Sequence, residues 1–203
     1  MLTLDHLAIS AETLEAGRDA VETALGVTLQ PGGEHVHFGT HNMLLGLEDG
    51  LYLEVIAINP TAPPPEQTRW FDLDRFHGTP RLSNWICRVD DLQNAVTQFP
   101  NAGLPVPLAR GDLRWQMAVP ADGILPYDNL FPALMQWQCD KHPAQMLTTA
   151  PCRLRKLIIS HPQALQLDSA LVAHLTDKRV VFETGSKGMR AEFETPDGLR
   201  VLS

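Results

Sequence analysis

Leu4-Asp5-His6-Leu7-Ala8-Ile9-Ser10 and Leu51-Tyr52-Leu53-Glu54-Val55-Ile56-Ala57 are the two stretches on which the fold turns. Each is an apolar run of strand length. The first carries His6, and the second carries Glu54, a charge that such a strand does not hold without solvent or a partner. Both are good ligands for a divalent metal. Laid side by side in a sheet, the two would make half of a site. The plainer alternatives are a core histidine satisfied by a backbone carbonyl and a carboxylate on an exposed strand face.

Between these stretches the pattern is that of a small unit. Ser10 offers an N-cap oxygen to a helix over Ala11–Leu25, whose Leu14, Val21 and Leu25 form an apolar stripe. Gly26 suits the C′ position, and Pro31-Gly32-Gly33 reads as a turn. Strands are predicted at His35–Phe38, Asn42–Leu47 and Leu51–Ile58, the last two joined through Glu48-Asp49-Gly50. The order is β-α-β-β-β, closing near residue 60.

Pro60, Pro63, Pro64 and Pro65 then stiffen a linker and docking segment over 61–80, and Arg69-Trp70-Phe71-Asp72-Leu73 within it is too aromatic to stay in solvent. A second unit over 81–145 starts at Leu82–Val89. Its helix is capped by Asp90 or Asp91 and carries Leu92, Ala95, Val96 and Phe99, and strands follow at Leu113–Val119 and Phe131–Gln138. A third module-like unit over 152–203 echoes the first: Leu154-Arg155-Lys156-Leu157-Ile158-Ile159-Ser160 matches Leu4–Ser10 in pattern. The fold class predicted is α+β, with repeated βαβββ modules forming a curved mixed sheet around a central cleft, the whole chain making one compact unit.

The bulk properties narrow the function. The 203 residues carry a net charge of −8, which argues against a nucleic-acid partner. No apolar run reaches membrane-spanning length and no secretory signal opens the chain, so a cytoplasmic location is expected. Three cysteines, Cys87, Cys139 and Cys152, lack paired spacing, which argues against a thiolate zinc site.

Leu4-Asp5-His6, Gly32-Gly33-Glu34-His35, Gly39-Thr40-His41-Asn42, Tyr52-Leu53-Glu54, Trp70-Phe71-Asp72-Leu73 and Gln136-Trp137 together resemble the glyoxalase-like domain proteins of the vicinal oxygen chelate superfamily, a group that includes glyoxalases, bleomycin-resistance proteins and extradiol dioxygenases. The resemblance implies two modules whose sheets form an open cup, often completed across a homodimer. In the metal-using members it also implies a divalent ion held from the first and last strands of both modules. His6 and Glu54 fill the first module's ligand positions. In the second module those positions fall near Asn84 and Gln136, and in the third unit Lys156 aligns with His6.

Donors could also come from neighbouring strands. His35 and His37 share one face of a predicted strand, and His41 lies beside it. His6, Glu54 and one of these would form a two-histidine, one-carboxylate set for Zn, Ni, Mn or Fe with open positions for substrate. Glu54, His35 and His41 are the catalytic candidates. Thr40, Asn42, Trp85, Gln136 and Trp137 are the ligand-binding candidates, the tryptophans as cup walls. Two functions follow: a metal-dependent lyase, isomerase or dioxygenase acting on a small oxygenated metabolite, or a metal-free small-molecule binding protein using the same cup.

Overall fold

In the computed structural model, which describes residues 1–203, the first unit comprises β1 (Thr3–Ser10), α1 (Leu14–Leu25), β2 (Gln30–His35), β3 (Thr40–Gly46) and β4 (Tyr52–Ile58). The second comprises β5 (Arg81–Arg88), α2 (Leu92–Gln98), β6 (Leu104–Arg110), β7 (Leu113–Val119) and β8 (Ala133–Trp137). In each, the first strand lies parallel to the last: β1 pairs with β4, His6 opposite Tyr52, and β5 pairs with β8, Ile86 opposite Ala133. The halves join where β1 runs antiparallel to β5. The result is one mixed sheet of order β2-β3-β4-β1-β5-β8-β7-β6, curled into a half-barrel around a cup. The α+β curved-sheet architecture is thus present, and a single chain supplies both halves of the cup.

Alternation assigns the two faces of this sheet. Leu7 and Ile9 of β1 sit beside Leu53 and Val55 of β4, all buried, and α1 covers that face. Gly17 of α1 comes so close that a Cβ there would meet Val55 Cγ1 at 2.4 Å. Val21 and Leu25 continue the buried stripe. Each such fully buried aliphatic side chain contributes about 1.5–3 kcal/mol. The residues between them, His6, Tyr52 and Glu54, are thereby turned into the cup.

Several local expectations are corrected. Thr13, not Ser10, caps α1, its Oγ1 accepting Ala16 N–H at 3.1 Å; Ser10 ends β1 and bonds Ser83 instead. Gly26 does take the left-handed C′ position, with φ 68°. Pro31-Gly32-Gly33 is not a turn but part of β2, at a register shift between Pro31 and Glu34. His37 lies in the turn after β2, so it shares no strand face with His35. β6, which the sequence did not show, contains Pro105 and Pro107 and forms the outer edge of the sheet, where a missing N–H costs least.

Residues 152–203 build a second sheet from β9 (Arg153–His161), β10 (Val180–Thr184), β11 (Gly188–Thr195) and β12 (Gly198–Leu202), with α3 (Ala164–Leu171), in the order β10-β9-β11-β12. Here the first strand lies parallel to the second, β10, instead of to the last. The hydrophobic echo of β1 in β9 therefore does not extend to its pairing. This sheet backs the first, Phe182 meeting Trp85 edge-on at 6.2 Å.

Candidate functional site

The cup holds a small chamber of about 30 Å³. Alternate residues of facing strands line it: His6 from β1, Tyr52 and Glu54 from β4, Asn42 from β3, His35 from β2, Trp115 and Met117 from β7, Met135 and Trp137 from β8. Arg110, at the end of β6, and Trp70 and Phe71 of the docking segment close it. Phe71 and Asp72 stand in the left-handed region, φ 59° and 58°. The Asp72 N–H bond to Gly123 O and the Asn129 Nδ2 bond to Phe71 O hold that turn.

At its centre is a chain of polar contacts. Asp5 Oδ1 lies 2.8 Å from His6 Nδ1, and His6 Nε2 faces Glu54 Oε2 at 3.6 Å. Tyr52 stacks on the His6 ring with centroids 4.3 Å apart. Behind this chain, Asp5 Oδ2 accepts from Arg88 Nη1, Trp137 Nε1 and His142 Nε2 at 3.3, 3.1 and 3.0 Å. On the far side, Asn42 Nδ2 donates to Glu54 Oε1 at 2.5 Å. Its Oδ1 accepts from Gly33 N–H at 2.8 Å and from Arg110 Nη1 at 3.0 Å, which fixes the amide orientation.

The glycine pair of β2 makes this possible. A Cβ at Gly32 would fall 2.0 Å from Asn42 Oδ1, and one at Gly33 would fall 2.7 Å from Arg110 Cδ.

Electrostatics sort these groups. Burial would raise the Asp5 carboxyl, but His142 and His6 outweigh it and hold Asp5 far below the usual carboxylate range. Burial likewise opposes ionisation of Glu54; His6, His35 and Asn42 overcome it and pull the group down to about 2. His6 is disfavoured as a cation by burial, yet Asp5 and Glu54 on its two nitrogens raise its pKa. His35 has no such pair: burial, assisted by Arg110, lowers it to about 4 against the pull of Glu54. At neutral pH the chamber therefore holds the Glu54 carboxylate, an imidazole that favours its proton and a second, neutral imidazole, with the Asp5 carboxylate behind His6.

The resemblance implies a divalent ion, and such an ion needs donors that converge on one point. His6 and His35 instead address opposite oxygens of Glu54, at 3.6 and 3.9 Å, and Asn42 Nδ2 already occupies Oε1. Arg110 Nη1 lies 3.5 Å from His35 Nε2, where its charge opposes a cation. The second half of the cup offers Trp115, Met117, Met135 and Trp137 where nitrogen or oxygen donors would be wanted. No three His, Cys, Asp or Glu side chains have metal-holding geometry. The residues present do not fit a resident divalent ion.

The structure thus brings together His6, Glu54, His35, Asn42 and Trp137. Thr40 stands behind them, its Oγ1 3.1 Å from His35 Nδ1. His41 is turned to the other face of β3, between the inward Thr40 and Asn42, and does not line the chamber. Gln136 is likewise one residue out of phase. It binds Asp90 O and Leu92 N–H at the start of α2, while its neighbours Met135 and Trp137 face the cup. Asn84 bonds Asn129 rather than the chamber. Trp85 belongs to the α1 face of the sheet, fully buried, its Nε1 donating to Leu130 O at 2.8 Å; it is core, not cup wall.

The residues missed are Asp5, Tyr52, Arg110 and His142. Tyr52 was recoverable by alternation from Glu54. Nothing local in the sequence marks the others.

The model of the glyoxalase-like domain family matches residues 4–176. No curated protein matches the chain. Among solved structures, a hypothetical protein from Staphylococcus aureus is similar with a TM-score of 0.64 at 15% identity, over 91% of this chain and 86% of that one. A Streptomyces coelicolor methylmalonyl-CoA epimerase in complex with 2-nitronate-propionyl-CoA matches with a TM-score of 0.45 at 15% identity, over 68% of this chain and 100% of its own. The family match spans both halves of the cup and the chamber between them. The chain belongs to the glyoxalase-like domain family of the vicinal oxygen chelate superfamily.

Proposed function

We propose that the cup takes a small oxygenated metabolite and moves a proton on it without a metal ion, His6 and Glu54 being the groups that touch it. The observation that carries this reading is the buried Asp5–His6–Glu54 chain, with His6 Nε2 3.6 Å from Glu54 Oε2 across the chamber. Ligand entry would widen the 3.6 Å gap between the two, and the ligand carbonyl would then take the Nε2–H of His6. Glu54 would then lose the contact that most lowers its pKa, and so become a stronger base as the ligand binds. Glu54 Oε2 would accept the proton of the C–H next to the carbonyl. The bonding pair moves into an enolate whose oxygen is stabilised by His6, and return of the proton to another face or carbon completes an isomerisation. Asp5 holds the His6 ring in the required tautomer.

The second reading, ligand binding without turnover, is favoured by the apolar half of the chamber, Trp115, Met117, Met135 and Trp137. One experiment separates the two. Small ketones and oxo acids are incubated with the protein in D2O, and deuterium at the carbon beside the carbonyl is followed by NMR. Exchange that is lost in Glu54→Gln and survives EDTA supports proton transfer. Exchange abolished by EDTA would mean that a metal does the work. Binding without exchange would leave the protein a carrier. Because one chain supplies both halves of the cup, a homodimer is not needed to complete it.

A further inference from the structure

Outside the chamber lies an open cleft of about 430 Å³, whose lining is mixed: Pro31, Leu44, Met146 and Leu147 are apolar, and Gln30 and Asp112 are polar, the Asp112 carboxylate being paired with Lys141. Arg110 is the one residue that lines both this cleft and the inner chamber. Its stem packs on the Gly33 backbone and its guanidinium rests on Asn42 Oδ1, so the side chain is the partition between them.

The chain has a net charge of −8, and most of its arginines sit within 4 Å of a carboxylate, yet Arg110 has none. Its nearest polar neighbours are an amide oxygen and the His35 ring. Trp70 also lines the chamber and is 3% exposed, and its indole Nε1–H is buried without an acceptor. A buried donor without a partner is destabilising, so its persistence calls for an acceptor that arrives from outside. A guanidinium without a carboxylate and an indole N–H without an acceptor, on two residues that line one cavity, call for an oxyanion.

We propose that cleft and chamber are one binding site divided by Arg110, and that its ligand is a carboxylic acid with an apolar body. The carboxylate takes the guanidinium at the divide, with one oxygen within reach of Trp70 Nε1. The body lies in the outer cleft on Pro31, Leu44 and Met146. Asn42 keeps its Gly33 N–H bond when Arg110 turns to the ligand, so opening the partition leaves its amide oxygen satisfied. This assignment rests on the cup being the ligand site.

The test is titration of the full chain with straight-chain carboxylates from acetate to octanoate, each beside its primary amide. Affinity is read by calorimetry, and the indole N–H signals are followed in protein with 15N-labelled tryptophan. The expected result is that acids bind more tightly as the chain lengthens, that amides bind at least about tenfold more weakly, and that the Trp70 signal moves downfield with acids alone. Arg110→Gln should remove the preference for acid over amide, and Arg110→Lys should restore part of it with the fold unchanged. Equal binding of acid and amide, or an Arg110→Gln protein that still prefers acids, overturns the assignment. Acid binding that persists in Glu54→Gln without deuterium exchange in the wild type upholds the assignment and removes only the catalytic reading.

Discussion

Asp5 and His6 are consecutive residues of one β-strand, and their side chains nonetheless meet, Oδ1 to Nδ1 at 2.8 Å. An unbroken strand sends neighbouring side chains to opposite faces. The register of β1 against β5 supplies the reason: Leu4 is opposite Cys87 and His6 is opposite Ile86, so Asp5 is an extra residue, a bulge that re-aims its carboxylate. That irregularity converts a lone cup-facing histidine into one oriented from behind by a carboxylate shared with Arg88, Trp137 and His142.

Asp5→Asn should therefore cost more than a surface change. It removes the buried charge that three donors and His6 share, and we expect a loss of about 2–4 kcal/mol. The His6 pKa should fall, because burial then acts with less opposition. Thermal unfolding gives the first quantity and histidine-ring NMR across pH the second. A variant with wild-type stability and an unmoved His6 titration would show that Asp5 does not orient the ring.

Stability should fall on acidification in a window set by His35. Burial lowers its pKa to about 4 from an ordinary 6.5. Between those values the unfolded chain binds a proton that the folded chain refuses. Stability is thus lost as pH drops from 6.5 to 4 and the loss levels off below, reaching about 3 kcal/mol at most. Glu54, held at about 2 against 4.5, adds a further loss between 4.5 and 2. Urea unfolding at a series of pH values measures the slope, and His35→Gln should flatten the upper part of it. An identical slope in that variant counts against a neutral buried His35.

Gly32→Ala tests the floor of the cup by volume alone. The added Cβ would lie 2.0 Å from Asn42 Oδ1 and 2.6 Å from its backbone oxygen, so β2 or β3 must move. Overpacking of this kind costs about 1–3 kcal/mol. Ligand binding should weaken as well, since the Asn42 amide that ties Arg110 to Glu54 is displaced. Urea unfolding without loss of stability would place Gly32 in open space.

Metal content is the fourth test. Protein purified without chelators or a histidine tag should hold well under one equivalent of Mn, Fe, Ni or Zn by elemental mass spectrometry, and the His6→Ala, Glu54→Ala double variant should be no different. Near-stoichiometric metal that disappears in the double variant would reverse the fit argument made from the divergent donors.

The sequence by itself determined the element order of the first half, the buried stripe of α1 ending at Gly26, and the presence of His6 and Glu54 on the first and last strands of one unit. Those features rest on hydrophobic periodicity and helix capping, which are written into neighbouring residues. Pairing decided the rest. Gln136 and Met135 differ by one position, and only the register of β8 against β5 and β7 says which of them faces the cup. Trp85 and Trp137 read alike as strand tryptophans, yet one lies on the face away from the cup, with Leu7 opposite and Phe182 of the second sheet against it, and the other lines the chamber. Arg110 follows a proline-bearing stretch that reads poorly as a strand, and it reaches Asn42 because β6 folds back as the sheet edge. Contacts between residues this far apart in the chain leave no local pattern; they come into being when the sheet curls and its strands choose their partners.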